Sequence, residues 1–300
     1  MAENRPRLKL SASWLTEYRM SFYLLRKNPV SFMGLIIITG FMITAVFAPW
    51  LAPYPEQGLG LPNLAERFAP PSLTHIFGTD VYGRDVLSRV IMGSRISLQV
   101  SLIVVAFAVL IGTPLGAVAG YIGGALDEVI MRITDLFLAF PSLLLAMAIA
   151  AALGPSLTNT VVALSVSWWP WYTRLSRSQG VALRGRPFVE AARAIGVPAK
   201  RILVAHILPN SLAPIIVQAT VDIGTVVLAT AALSFLGLGA QQPSPEWGLM
   251  VSLGRTYILE QWWISGFPGL AIFTTSLAFN LLGDGLREAL DPKIRRSRRV

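Results

Sequence analysis

No cysteine occurs in the 300 residues, which excludes disulfides, iron–sulfur ligation and thiolate-zinc sites. The only histidines, His75 and His206, are far apart and expected on opposite sides of a membrane, so they cannot share a zinc ion. Neither stands in the Gly-x-Ser-x-Gly setting of a serine nucleophile. The four lysines, Lys9, Lys27, Lys200 and Lys293, never follow a glycine. A phosphate-cradling loop needs Gly-Lys followed by Ser or Thr, so ATP is not bound here in that way. No catalytic residue, metal ligand or cofactor is assigned to the chain, and a membrane enzyme is disfavoured. Charge is scarce as well: 14% of residues, against about 25% in a soluble domain.

In place of charge stand 54% hydrophobic residues and a mean hydropathy of +0.59, the composition of a polytopic membrane protein. A membrane-crossing helix needs about 20 mostly apolar residues. The uncharged stretch from Val30 to Pro55 supplies a first span at 32–52. No charge falls between Arg95 and Asp127, which gives a second near Ser97 to Val118. Leu136 to Thr173 is uncharged and too long for one span. Gly154-Pro155-Ser156 divides it, and Trp168, Trp169, Trp171 and Tyr172 mark an interface. A fifth span is expected near Ala213 to Phe235 and a sixth near Ser265 to Leu282. The expected fold is all-α, with six transmembrane helices.

The +9 net charge is explained by topology and needs no nucleic acid. With the N-terminus inside, 20 of the 25 Lys and Arg lie in cytoplasmic segments and 5 outside. Both termini are therefore expected in the cytoplasm. Residues 1–31 form a basic segment whose Trp14, Leu15, Tyr18 and Phe22 suit a helix lying on the membrane surface. The apolar run from Val30 to Leu51 is longer than the core of a signal peptide, so an uncleaved span is expected there. Residues 53–95 form an external loop, 96–286 a transmembrane core, and 287–300 a basic tail near anionic lipid.

Within the core, 185–209 is a cytoplasmic polar interlude. Pro187 suits a helix's first turn, and Glu190 lies where the helix dipole favours a carboxylate. Phe188, Ala191, Ala192 and Ile195 share helical spacing. Gly196 can supply a left-handed stop and Pro198 can open a second helix, which carries Lys200, Arg201 and His206 and meets a breaker at Pro209. On periodicity alone, this helix–turn–helix could simply lie flat on lipid.

Its residues say more. Glu190-Ala191-Ala192, then Gly196, then Leu208-Pro209 resembles the EAA loop of bacterial ABC-transporter permeases, with His206 as in the peptide-importing branch. A second string, Gly78-Thr79-Asp80 with Gly83-Arg84-Asp85, resembles the element before the second span of C-type dipeptide and oligopeptide permeases. Its bland reading is a polar turn with exposed local ion pairs among Asp80, Arg84 and Asp85, each stabilising by less than about 1 kcal/mol.

The resemblance implies a type I ABC-importer permease fold in a bacterial inner membrane. It implies a heterodimer with a second permease subunit, two ATPase subunits that hold ATP and Mg, and an external substrate-binding protein. Glu190, Ala191, Ala192, Arg193, Gly196, Lys200, Arg201, His206, Leu208 and Pro209 would then couple to the ATPase. The ligand would be a dipeptide or oligopeptide, with glutathione or a nickel chelate as alternatives. An ATP-independent secondary transporter or channel is the rival reading; it should show a coupling-ion site, for which no chain of acids is found.

Asp222 is the one clear charge inside the spans, and an intramembrane carboxylate is costly. It could line a translocation path with Gln218, or make a helix–helix hydrogen bond. Gly112, Gly116 and Gly120 recur every four residues, a pattern for close helix packing within the chain. Pro114, Pro141 and Pro214 are expected to kink their helices.

Overall fold

The computed structural model describes residues 26 and 28–290. The interfacial helix expected within 1–31 and the basic run Lys293 to Arg299 lie outside the described residues. Among those described there is no strand, only an isolated antiparallel bridge between Thr79 and Asp85.

Helix α1 (Pro29–Val46) starts where Asn28 accepts hydrogen bonds from the Val30 and Ser31 amides at 3.1 and 3.4 Å. Short helices α2 (Ala48–Leu51) and α3 (Pro55–Leu59) lead into an irregular segment. Helix α4 (Val86–Ile122) has 37 residues, so it begins well before Ser97 and runs about 55 Å. Asp85 explains the early start: its carboxylate accepts from the Ser88 amide at 2.7 Å and caps the helix.

The third expected span is broken. Helices α5 (Gly124–Leu138) and α6 (Ser142–Leu153) meet at an 80° bend. Pro141 sits at the break, where a proline drives the residue before it out of helical geometry. Helix α7 (Leu157–Arg184) comes next, capped by Ser156. Then come α8 (Pro187–Ala194) and α9 (Ala199–Ile202), and a π turn (Leu203–Ile207) leads into α10 (Leu208–Phe235). Pro209 therefore does not end a helix. It sits in the first turn of α10, where its missing N–H is tolerated, and the π turn absorbs the mismatch. Helices α11 (Trp247–Gly254) and α12 (Trp263–Leu290) complete the described chain.

Four helices, α1, α4, α10 continued from Ala199, and α12, are long and apolar enough to cross a membrane, and the bent α5–α6 pair makes a fifth. Helix α7 has the length, 28 residues, but carries Arg174, Arg177 and Arg184 in its second half. Its Leu164, Trp168 and Tyr172 belong to the main core with Val104 and Ala108 of α4 and Ile215 and Leu233 of α10. The glycine row accounts for the intimacy of α4 and α7. A Cβ at Gly112, Gly116 or Gly120 would strike the carbonyl of Trp169, Thr173 or Arg177 in turn. Backbones can approach so closely only where side chains are missing.

Candidate functional site

The 185–209 segment folds as two short helices against the end of α4. Val189, Ala192, Ile202, Leu203 and Ile207 are buried with Ala117 and Tyr121. Ala192 thus turns inward while Phe188, Ala191 and Ile195 face out, so the four do not share one buried face. Ile195 is 81% exposed, and Val204 and Phe188 are exposed too. Glu190, Arg193, Gly196, Lys200, Arg201 and Pro209 share the outer surface, whereas His206 and Leu208 are half-buried. The Arg193 guanidinium stands 5.5 Å from the centre of the Tyr121 ring, and the Phe188 and His206 rings lie 6.2 Å apart.

The turn between α8 and α9 is a left-handed cap. Gly196 has φ +79°, its amide donates to the Arg193 carbonyl at 3.0 Å, and the Val197 amide donates to the Ala192 carbonyl at 3.0 Å. Nothing lies within 4 Å of where a Gly196 Cβ would project. The glycine is needed for its backbone, not for space. Beyond the turn, a cleft of about 350 Å³ opens between Pro198, Lys200, Arg201, Val204 and Ala205. The result is an exposed apolar face flanked by Arg193, Lys200 and Arg201.

The Asp80 string is not an exposed turn. Asp80, Arg84, Asp85 and Arg89 are all at most 5% exposed. Asp80 accepts from the backbone amides of Tyr82 and Arg84 at 2.8 and 3.0 Å and from Arg84 Nε at 2.8 Å. Gly83, with φ +72°, closes this turn, and a Cβ there would overlap the Asn63 carbonyl. Gly78 also has positive φ, and the buried Thr79 hydroxyl donates to the Glu66 carbonyl at 2.5 Å.

Arg84 Nη1 then donates to Gln242 Oε1 at 2.9 Å, and Arg89 Nη2 to the carbonyls of Pro243 and Ser244 at 3.2 and 3.0 Å. Two arginines thus fasten the turn before α11. There the buried Glu246 accepts from the Gly248 and Leu249 amides at 2.9 and 2.8 Å, and Trp247 Nε1 donates to the Val90 carbonyl at 2.9 Å. Burial raises the Glu246 carboxyl above the usual range, against the opposing effect of those two amides. Asp85 also takes His75 Nδ1 at 2.8 Å, and His75 Nε2 lies 3.2 Å from Glu66.

Sequence reasoning did not find Arg89, Gln242 or Glu246 in this role. The arginines' acceptors are a side chain and two backbone carbonyls roughly 150 residues away, so no local spacing announces them.

Asp222 is buried between helices. Its Oδ2 accepts from the hydroxyl of Tyr172, itself fully buried on α7, at 2.7 Å, and its Oδ1 from Gln218 Nε2 at 3.0 Å. Gln218 lies on the exposed side of α10, one turn away.

Comparison with known proteins identifies the family. The family model described as "binding-protein-dependent transport system inner membrane component" matches residues 112–296. The chain belongs to this family. The model for the N-terminal transmembrane domain of oligopeptide transport permease C matches residues 17–71 of the same permease. The permease is 48% identical over 271 residues to a probable D,D-dipeptide transport system permease protein, DdpC, of Escherichia coli K12, covering 90% of each chain. It is 50% identical over 281 residues to the dipeptide transport system permease protein DppC of Alkalihalophilus pseudofirmus, covering 94% of this chain and 91% of that one. A glutathione transport system permease protein, GsiD, of Escherichia coli O6:K15:H31 is 44% identical over 271 residues, with 90% and 88% covered.

Among solved structures, a chain of the inward-facing MetNI methionine ABC transporter superposes with a TM-score of 0.55 at 20% identity. The superposition covers 68% of this permease and 98% of that chain. The fold is that of a type I ABC-importer permease, and the protein is a multi-pass inner-membrane component.

Proposed function

We propose that this chain forms half of the translocation pathway of an ATP-driven importer of short peptides. It would pair with a second permease, two ATPase subunits carrying ATP and Mg, and an external substrate-binding protein. The family match carries this reading, together with two relatives near half identity, one named a dipeptide permease and the other a probable D,D-dipeptide permease. Residues 185–209 supply the coupling lever. The exposed apolar residues Phe188, Ile195 and Val204 offer a helix face for a groove on an ATPase, and Arg193, Lys200 and Arg201 offer charge contacts at its rim. Because the inner face of α8 and α9 is packed on α4, a push on the loop is delivered to that 37-residue helix. Closure of the ATPases would then rock the helices between outward- and inward-facing states, a rigid-body switch. Positive-inside counting puts the loop on the cytoplasmic side, where an ATPase can reach it.

A glutathione ligand is the second reading, favoured by the 44% identity to a glutathione permease. Glutathione is itself a small peptide, so the two readings share a chemistry. The test is a mild-detergent pull-down of the tagged chain from its host, combined with import assays in vesicles. Two P-loop ATPases and a second permease should co-purify, and dipeptide import should require ATP. A chain recovered alone and active without ATP would overturn the reading.

A further inference from the structure

Beside α10 the molecule has an open cleft of about 380 Å³, lined by Trp171, Arg174, Leu175 and Ser178 of α7 and Gln218 of α10. The volume suits a small ligand. Its lining is amphipathic: an indole and a leucine together with a guanidinium, a hydroxyl and an amide. Arg174 and Gln218 are exposed, and exposed polar groups of this kind face water or protein rather than lipid tails.

Two neighbouring arginines on α7 are used differently. Arg177 is held through two nitrogens by both carboxylate oxygens of Asp127, at 2.5 and 2.7 Å. Arg174 gives a single nitrogen to Asp135 at 2.6 Å and remains about half exposed at the cleft. A guanidinium has five N–H donors in a fork that matches a carboxylate, so Arg174 keeps donors to spare. Asp135 lies on α5, the helix set at 80° to its continuation, and is also half exposed.

We propose that this cleft receives the carboxylate end of the transported peptide, with Arg174 as its charge partner and Trp171 and Leu175 as the wall for the adjoining side chain. The inference rests on the peptide-importer reading and adds a residue-level preference within the permease itself. An incoming carboxylate takes the donors that Asp135 leaves free, so one guanidinium joins the ligand to both α5 and α7. Gln218, already bonded to Asp222, ties the cleft to the buried Tyr172–Asp222 pair and so to the packing of α7 on α10.

The experiment measures equilibrium binding of Ala-Phe and of its C-terminal amide to the purified permease–ATPase complex without binding protein. The wild type should prefer the free acid about tenfold or more, as expected for a hydrogen bond to a charged group. Arg174→Gln should remove that preference, Arg174→Lys should retain part of it, and Asp135→Asn should keep or enlarge it. Because Asp135→Asn breaks the same ion pair, a merely structural role would make it behave like Arg174→Gln. Equal affinity of the wild type for acid and amide, binding of neither, or identical behaviour of the two neutralising variants would overturn the proposal. ATP-dependent import of Ala-Phe by the complete wild-type complex is measured alongside. Import without an acid preference at the cleft overturns this inference alone; no peptide import overturns the reading on which it rests.

Discussion

At the scale of single residues, burial decides what a charge is worth. Asp80 faces Arg84 Nη2 at 2.7 Å and Arg89 Nε at 3.7 Å, and all three side chains are 6% exposed or less. Removing one member of such a group leaves uncompensated charge in a low-dielectric site, at a cost of about 3–5 kcal/mol. Asp80→Asn should therefore lower the thermal stability of the detergent-solubilised protein sharply. Glu128→Gln, which breaks the solvent-exposed i,i+4 pair with Arg132, should shift it by less than about 1 kcal/mol. Equal shifts would show that the Asp80 cluster is wetter than its packing implies.

Glu246 gives a residue-scale prediction with a definite sign. Its carboxyl is raised in the folded protein, so folding favours the protonated form. The stability it lends is fully present below its ordinary value of 4.5 and is lost as pH rises through the higher folded value. A melting curve taken upward from about pH 4.5 should fall in the wild type. In Glu246→Gln, which cannot ionise but keeps an oxygen for the Gly248 or Leu249 amide, the fall should be smaller. A variant with the wild-type slope would assign the pH dependence elsewhere.

At the scale of elements, the α8–α9 pair is a small device whose shape depends on one backbone angle. The left-handed conformation at Gly196 disfavours a side chain by roughly 1–2 kcal/mol even though there is room for one. Gly196→Asp should insert and accumulate normally but lose most ATP-coupled transport, because the turn that aims α9 is strained while the spans are untouched. Normal transport by Gly196→Asp would count against the lever. The segment's outline is legible in the sequence: proline in the first turn, glycine at the stop, proline opening the next helix. Its facing is not. Spacing groups Phe188, Ala191, Ala192 and Ile195, but only the end of α4 selects Val189 and Ala192 as the inner side.

The long helices divide in the same way. The uncharged runs locate α1, α4, α10 and α12, because a stretch that avoids charge for about 20 residues has few other uses. The bend between α5 and α6 is foreshadowed only by Pro141, and the apolar run gives no sign of its 80°.

For the whole molecule, the absence of cysteine is an experimental advantage. A single cysteine placed at Ile195, 81% exposed on the outer face of the lever, is then the chain's only labelling site. In the assembled complex its reaction with a maleimide should be suppressed several-fold relative to the isolated permease, and the same substitution at Leu73, exposed in the irregular segment before α4, should not be. Equal labelling of Ile195→Cys in both preparations would remove the proposed ATPase contact.

Composition and two short strings of residues were enough by themselves to indicate an all-helical membrane permease, and turn chemistry outlined the helix–turn–helix at 185–209. These are properties of local order: the length of apolar runs and the turn chemistry of glycine and proline. The tertiary structure alone decided that Asp80, Arg84 and Arg89 are a buried tether for the turn before α11, that Asp222 is held by Tyr172, and that Arg174 stands half-committed at a cleft. Each depends on groups from distant parts of the chain meeting inside a low-dielectric interior, where a hydrogen bond or charge acquires a value that sequence neighbours cannot set.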